Sequence, residues 1–171
     1  TTMLYLNIPM MTMVQQMAKS VNSFSLLAIP FFILMGEIMG AGGISDRLLK
    51  FANVLVGRFR GGLAFVNVLA SMFFGGISGS AVADVSSLGK IEIPMMEDAG
   101  YDKDFSICVT VSSACQGLLI PPSHNMVLYA MTAGGVSVGK LFLAGYAPGI
   151  LLGVALMALC YIFAIKRNYP K

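Results

Sequence analysis

A chain of 171 residues that is 57% apolar, only 11% charged and of mean hydropathy +0.80 lies outside the range of soluble domains, in which roughly 25% of residues are charged. It reads as an integral membrane protein, and a net charge of +3 gives no sign of nucleic-acid binding. One His in the chain, and three cysteines at spacings that fit no zinc or haem motif, leave Cys108, Cys115 and Cys160 to be read as small buried hydrophobes.

Four windows carry no Asp, Glu, Lys or Arg: 20–36, 61–83, 105–139 and 141–165. A spanning helix needs about 20 apolar residues, so the last three are long enough and the first is marginal. The chain opens on Thr inside an apolar segment, shows no secretory signal pattern, and reads as part of something longer. Residues 1–18 look like the end of a span followed by an interfacial helix. Phe24 to Met39 predicts a helix carrying Pro30 and closed by "GAGG" at 40–43, with Glu37 at an interface. In "ISDRLLKFANVLVGRFRGG", Ile44, Leu48, Phe51, Leu55 and Phe59 recur at helical spacing between Arg47, Lys50 and Arg58. This pattern predicts an amphipathic arm in the membrane interface, ended by Gly61 and Gly62.

The window from Leu63 holds "GGISGSAVADVSSLG", polar where a span should be apolar, and Lys90 to Asp104 follow as a charged patch at the water's edge. Phe105 to Leu118 predicts a helix, "IPPSHN" interrupts it, a short helix resumes to Gly134 and Gly135, and 141–165 is an uninterrupted span. Arg47, Lys50, Arg58 and Arg60 in one connector, and Lys166, Arg167 and Lys171 after the last span, are both cytoplasmic by the positive-inside rule. An even number of crossings must then separate them, although three windows intervene. The stretch with Gly and Ser at its centre is the one that enters and turns back.

A turn inside a membrane needs its backbone groups satisfied by protein, ion or water. Gly75, Gly76 and Gly79 permit tight turning, while Ser78 and Ser80 supply hydroxyl oxygens and capping. Carbonyls and hydroxyls suit a hard cation such as Na⁺, and helix amide ends suit an anion. Pro121 and Pro122 lack amide donors, so carbonyls near Gly117 to Ile120 lose their usual partners, and Ser123, His124 and Asn125 open the next half-helix. A polar tip and a broken helix in one chain are the pattern of discontinuous helices around a transporter's midplane site. Asp84, one turn beyond the tip, reads as a local cap or pair as readily as an ion ligand.

The stretches "FFILMGEIM", "RGGLAFVNVLASMFFGGISGSAVADVSSLG" and "LLIPPSHNMVLYA" closely resemble the large membrane subunit of the tripartite ATP-independent periplasmic (TRAP) transporters, across essentially all 171 residues. The resemblance implies an all-α membrane protein of the ion-transporter superfamily with no cofactor. It is expected to be multi-pass in a bacterial inner membrane and to use a Na⁺ gradient to import organic acids by an elevator motion. Its implied partners are a small membrane subunit, a periplasmic substrate-binding protein, the organic-acid substrate and the bilayer. By motif, Ser78, Gly79, Ser80, Pro122 and Ser123 would hold Na⁺, and His124 and Asn125 would meet substrate.

The implied organisation is one membrane domain over 1–171. It divides into scaffold helix and arm (1–60), re-entrant hairpin (61–98), discontinuous helix (102–135) and closing transmembrane helix (141–165). The family has two such inverted repeats, and only one tip and one Pro-Pro break occur here, so the chain reads as the N-terminal repeat. Two alternatives remain. One is a truncated, non-transporting remnant; the other is a rhomboid-like serine protease, in which Ser78 of "GISG" would be paired with His124.

Overall fold

The computed structural model describes residues 10–21, 28–133 and 135–170, and among them every regular element is helical. In chain order these are α1 (Met10–Val21), α2 (Ala28–Ala41), α3 (Ile44–Val56), α4 (Gly62–Ser78), α5 (Ala81–Ser87), α6 (Gly89–Asp98) and α7 (Lys103–Ala114). A 3₁₀ turn (Cys115–Leu118), α8 (His124–Ala133) and α9 (Val138–Lys166) complete the fold. The expected span end at 1–9, and the start of the helix expected from Phe24, lie outside the described residues. Among the described residues one helix, α9, is long and apolar enough to cross a membrane, and α4 is a shorter apolar helix.

α4 is the central element, because its sequence is apolar on most of its circumference and its neighbours pack on two separate sides of it. On one side Leu49 and Ala52 of the arm helix α3 pack with Val66, Ala70 and Phe74 of α4 and with Leu88. On another, Ala64, Phe65 and Val68 meet Met96, Phe105, Val109, and Cys160 and Ala164 of α9. The pairing of Leu88 with Ala70 and Phe74, and of Met96 with Asn67, runs backwards in sequence, so α5 and α6 return alongside α4. The buried stripe of α3 is Ser45, Leu49 and Ala52, rotated from the predicted one, whose Phe51, Leu55 and Phe59 are exposed. Ser45 and Ala52, with Leu49 between them, fit against α4, and Phe51, Val54 and Leu55 face outward, where lipid would lie.

Between the two apolar clusters runs a buried polar seam. Asn67 Nδ2 donates to Thr110 Oγ1 at 2.7 Å, Ser113 Oγ to Asn67 Oδ1 at 2.8 Å, and Ser71 Oγ to Ser113 Oγ at 3.1 Å. It ties α4 to α7, each such bond contributing about 0.6 kcal/mol on average within a membrane.

The far end of α9 is clamped to the start of α7. Arg167 and the Tyr169 hydroxyl (2.6 Å) both bond Asp102, and the Tyr169 ring packs between Tyr101 and Phe105. The Tyr169 hydroxyl and the Arg167 guanidinium hold the Asp102 carboxyl below the usual carboxylate range. Two sequence expectations fail here. Cys108 and Cys115 are exposed and only Cys160 is buried, since the first two lie on the outward face of α7 and its 3₁₀ extension.

Glycines set the closest approaches. Gly75 of α4 lies so near Gly117 that a Cβ on it would run into the Gly117 backbone. Gly145, Gly149 and Gly153 of α9 recur every fourth residue, and a Cβ on them would meet the Leu119 carbonyl, Ile120 and Gln116 respectively. Small residues at this spacing let helix backbones approach. In the full-length protein, Gly75→Ala is expected to lower thermal stability by about 1–3 kcal/mol through this overlap. Gly139→Ala, in a helix with open space around it, is expected to leave the unfolding midpoint unchanged or slightly raised; detergent-solubilised thermal unfolding measures both.

Candidate functional site

α4 stops at Ser78 because Gly79 turns left-handed (φ 62°, ψ 14°), its N–H still bonding the Gly75 carbonyl at 2.8 Å. Ser80 is extended (φ −137°) and caps α5, its hydroxyl accepting from the Ala83 N–H at 3.4 Å. The Ser80 N–H in turn donates to Ser78 Oγ at 3.3 Å. The two serines thus brace the turn from either side, as expected of hydroxyls competing for backbone groups.

The second break is built by proline. α7 tightens into the 3₁₀ turn, where the N–H groups of Leu119 and Ile120 both donate to the Gln116 carbonyl at 2.9 Å. Pro121 and Pro122 have no N–H, so the carbonyls of Gly117 and Leu118 have no donor four residues on. The Ser123 carbonyl accepts from the Val127 N–H at 3.3 Å as α8 begins.

These two breaks meet. A Cβ on Gly79 would lie 3.0 Å from the Pro122 carbonyl oxygen, 3.1 Å from Ser123 Cα and 3.2 Å from the His124 nitrogen. A Cβ on Gly76 would lie 3.5 Å from the Pro121 carbonyl oxygen. From the opposite side α2 approaches the tip, a Cβ on Gly36 falling 3.7 Å from Ser78 Cβ. Ser78 and Ser123 are buried, and the Ser123 hydroxyl has no hydrogen-bond partner. Tip and break are thus in backbone contact, with the Pro122 carbonyl oxygen and the buried Ser78 and Ser123 side chains close to Gly79.

Of the residues singled out for Na⁺, Gly79 abuts Pro122 and Ser123, and Ser78 and Ser80 are bonded beside it. His124 brings its backbone nitrogen to the tip and keeps a buried Nδ1 without a partner, while Asn125 is exposed. Ser78 Oγ bonds Ser80 and not His124, so the nucleophile–base pair of the protease reading is not assembled.

One buried polar residue escaped the sequence reading, and two others sit differently from what it led us to expect. Gln116 is fully buried with neither end of its amide bonded; its only signal was a lone amide one turn before the prolines. Asp84 is 1% exposed and its carboxyl makes no hydrogen bond, so it is neither a cap nor one of a pair; Ser71 approaches it without bonding. Glu92, expected at the water's edge, is 0% exposed, because α6 turns its Gly89, Glu92 and Met96 face inward. Glu37 is exposed.

Comparison with known proteins shows the family. The family model described as "Tripartite ATP-independent periplasmic transporter, DctM component" matches residues 1–171. The sialic acid TRAP transporter permease protein of Haemophilus influenzae is 45% identical over 92% of this chain and 25% of its own length. The C4-dicarboxylate TRAP transporter large permease protein of Pseudomonas aeruginosa is 45% identical over 86% of this chain and 34% of its own. For the 2,3-diketo-L-gulonate TRAP transporter large permease protein of Escherichia coli the identity is 42%, over 93% and 37%. The chain therefore spans between a quarter and somewhat over a third of the length of these relatives.

The left-handed turn at Gly79 yields a graded expectation in the full-length protein. Gly79→Val, β-branched at positive φ, is expected to cost about 1–3 kcal/mol of stability. Gly79→Asn should lose distinctly less, since Asn tolerates that region. Equal unfolding midpoints for the two variants would contradict the turn geometry.

Proposed function

The chain belongs to the DctM component family of the tripartite ATP-independent periplasmic transporters, and from that membership we propose that it forms part of the permease of a Na⁺-coupled importer of organic acids. The observation that carries the reading is the contact of the Gly79 tip with Pro122, Ser123 and His124. It supports a cage in which Ser78, Gly79, Ser80, Pro122 and Ser123 offer hydroxyl and carbonyl oxygens to Na⁺. Na⁺ bound between tip and break is held by the Pro122 carbonyl and the neighbouring hydroxyls, so ion binding and closure of the two breaks favour each other. The amide end of α8 beside the cage suits a substrate's anionic group, with His124 and Asn125 as the side chains at that end.

In this reading residues 61–98 are a re-entrant hairpin, 102–135 a discontinuous helix and 141–165 the closing transmembrane helix. Residues 1–60 supply the scaffold helix and interfacial arm. The exposed Phe51, Val54, Leu55 and Phe59 of the arm region, next to Arg47, Lys50 and Arg58, are what an interfacial helix presents to lipid and headgroups. The unit is one of two inverted repeats, moving as an elevator in a bacterial inner membrane. It works with a small membrane subunit and a periplasmic binding protein. The relatives are named for sialic acid, isethionate, C4-dicarboxylate and 2,3-diketo-L-gulonate; these span several organic anions, so the substrate class is proposed as an organic acid without a choice among them.

In proteoliposomes, replacing Ser78 or Ser80 of the full-length protein by Leu is expected to abolish Na⁺-driven uptake at least tenfold while protein still inserts; unchanged uptake and Na⁺ dependence would refute the cage. Orientation is tested separately in a background without Cys108, Cys115 and Cys160. A cysteine at Ala99 should be labelled from the cytoplasm and one at Ser137 from the periplasm, and the reverse pattern would overturn the topology.

A further inference from the structure

The returning arm carries a carboxyl that the ion cage does not use. Glu92 is 0% exposed and neither of its oxygens has a hydrogen-bond partner. Burying an ionised carboxylate without a partner costs several kcal/mol even after relaxation, so such a group is neutralised in place.

Among the described residues no side chain supplies a neutralising charge. α4, packed against α6, has no ionisable residue. On α7, Lys103, Asp104 and Cys108 are exposed, and on α6 itself Lys90 and Asp98 are exposed while Glu97 is half-buried. Across a cavity of about 300 Å³ on the other side, Glu37 and Asp46 are exposed. α5 contributes Asp84, 1% exposed and of like charge. The burial of both carboxyls also keeps any large cation away. Neither the Asp84 nor the Glu92 carboxyl has a hydrogen-bond partner.

Glu92 faces the polar seam. It lies on the α6 face between Gly89 and Met96. A Cβ on Gly89 would stand 3.3 Å from Thr110 Cγ2, and Met96 Sδ accepts weakly from Asn67 Nδ2 at 3.8 Å. Thr110 and Asn67 belong to the polar seam. From Thr110 the hydroxyl bonds the Ser106 carbonyl (2.9 Å), and Ser106 Oγ bonds the carbonyl of exposed Asp102 (3.0 Å).

We infer that Glu92 is a proton-binding site: a neutral carboxylic acid held on the returning arm against the polar seam. Binding transfers a proton from water to the carboxylate and changes no other bond. The inference rests on the fold and not on Na⁺ coupling, so either can fail without the other.

Infrared spectroscopy of the full-length protein at neutral pH tests it. The unmutated protein is expected to show the carbonyl band of a neutral carboxylic acid that Glu92→Gln lacks, and the band should shift when the solvent is exchanged for heavy water. Superimposable spectra of the two proteins would overturn the inference, as would loss of the band on adding Na⁺ at constant pH, which would make the neutralising ion a metal. Should Glu92→Gln not fold, heavy-carbon labelling of glutamate in the unmutated protein must shift the band; a band that labelled glutamate leaves in place refutes the assignment.

Discussion

Two helices can bring broken ends together only where their backbones pass at a distance that side chains forbid. Gly75 facing Gly117 is that place, one turn before each break. With the helices in contact there, the chain of α4 reaches Gly79 at the point where α7 has unwound to Pro122, and tip and break share one small volume. Any side chain at 75 or 117 separates the helices and withdraws the Pro122 carbonyl from the tip. The remaining packing follows from this approach. α9 accommodates the unwound segment with its own glycines at 145, 149 and 153, and the seam of Asn67, Ser71, Thr110 and Ser113 holds α4 and α7 in register below it.

The seam has an energetic reason as well as a geometric one. Apolar packing gives helices little preference for one rotation over another when the surrounding solvent is lipid, whereas a mispaired amide or hydroxyl is costly. Four polar side chains that bond only in one register therefore fix which faces of α4 and α7 meet. That register places Gly75 opposite Gly117. The Asp102–Arg167–Tyr169 clamp does the same for α9 at the opposite end of α7, using exposed charge and aromatic stacking.

Much of this was legible in the sequence because it depends on residues with special backbones. Gly79 and the Pro121–Pro122 pair marked the two breaks, and the element order along the chain follows from apolar windows punctuated by Gly and Pro. What periodicity missed depends on neighbours. Periodicity picked out the arm's outward apolar stripe, Phe51, Leu55 and Phe59, but gave no sign of the other face, Ser45, Leu49 and Ala52, that packs on α4. Glu92 sat in a charged run and read as solvated; only the inward rotation of α6 buries it. Likewise Cys108 and Cys115 looked buried because their window is apolar, but apolar residues of a membrane helix face outward as readily as inward. Gln116 was invisible because a single amide in a span has no pattern.

The central claim is that the tip and the Pro-Pro break form one ion-binding volume. An experimental density map of the full-length protein, determined in Na⁺ and again with Na⁺ replaced by choline, tests it most directly. The account predicts an ion-sized density bounded by Ser78, Ser80, the Pro122 carbonyl and Ser123 in Na⁺, and its absence in choline. Density there in both conditions, or Na⁺-dependent density only elsewhere, would contradict it.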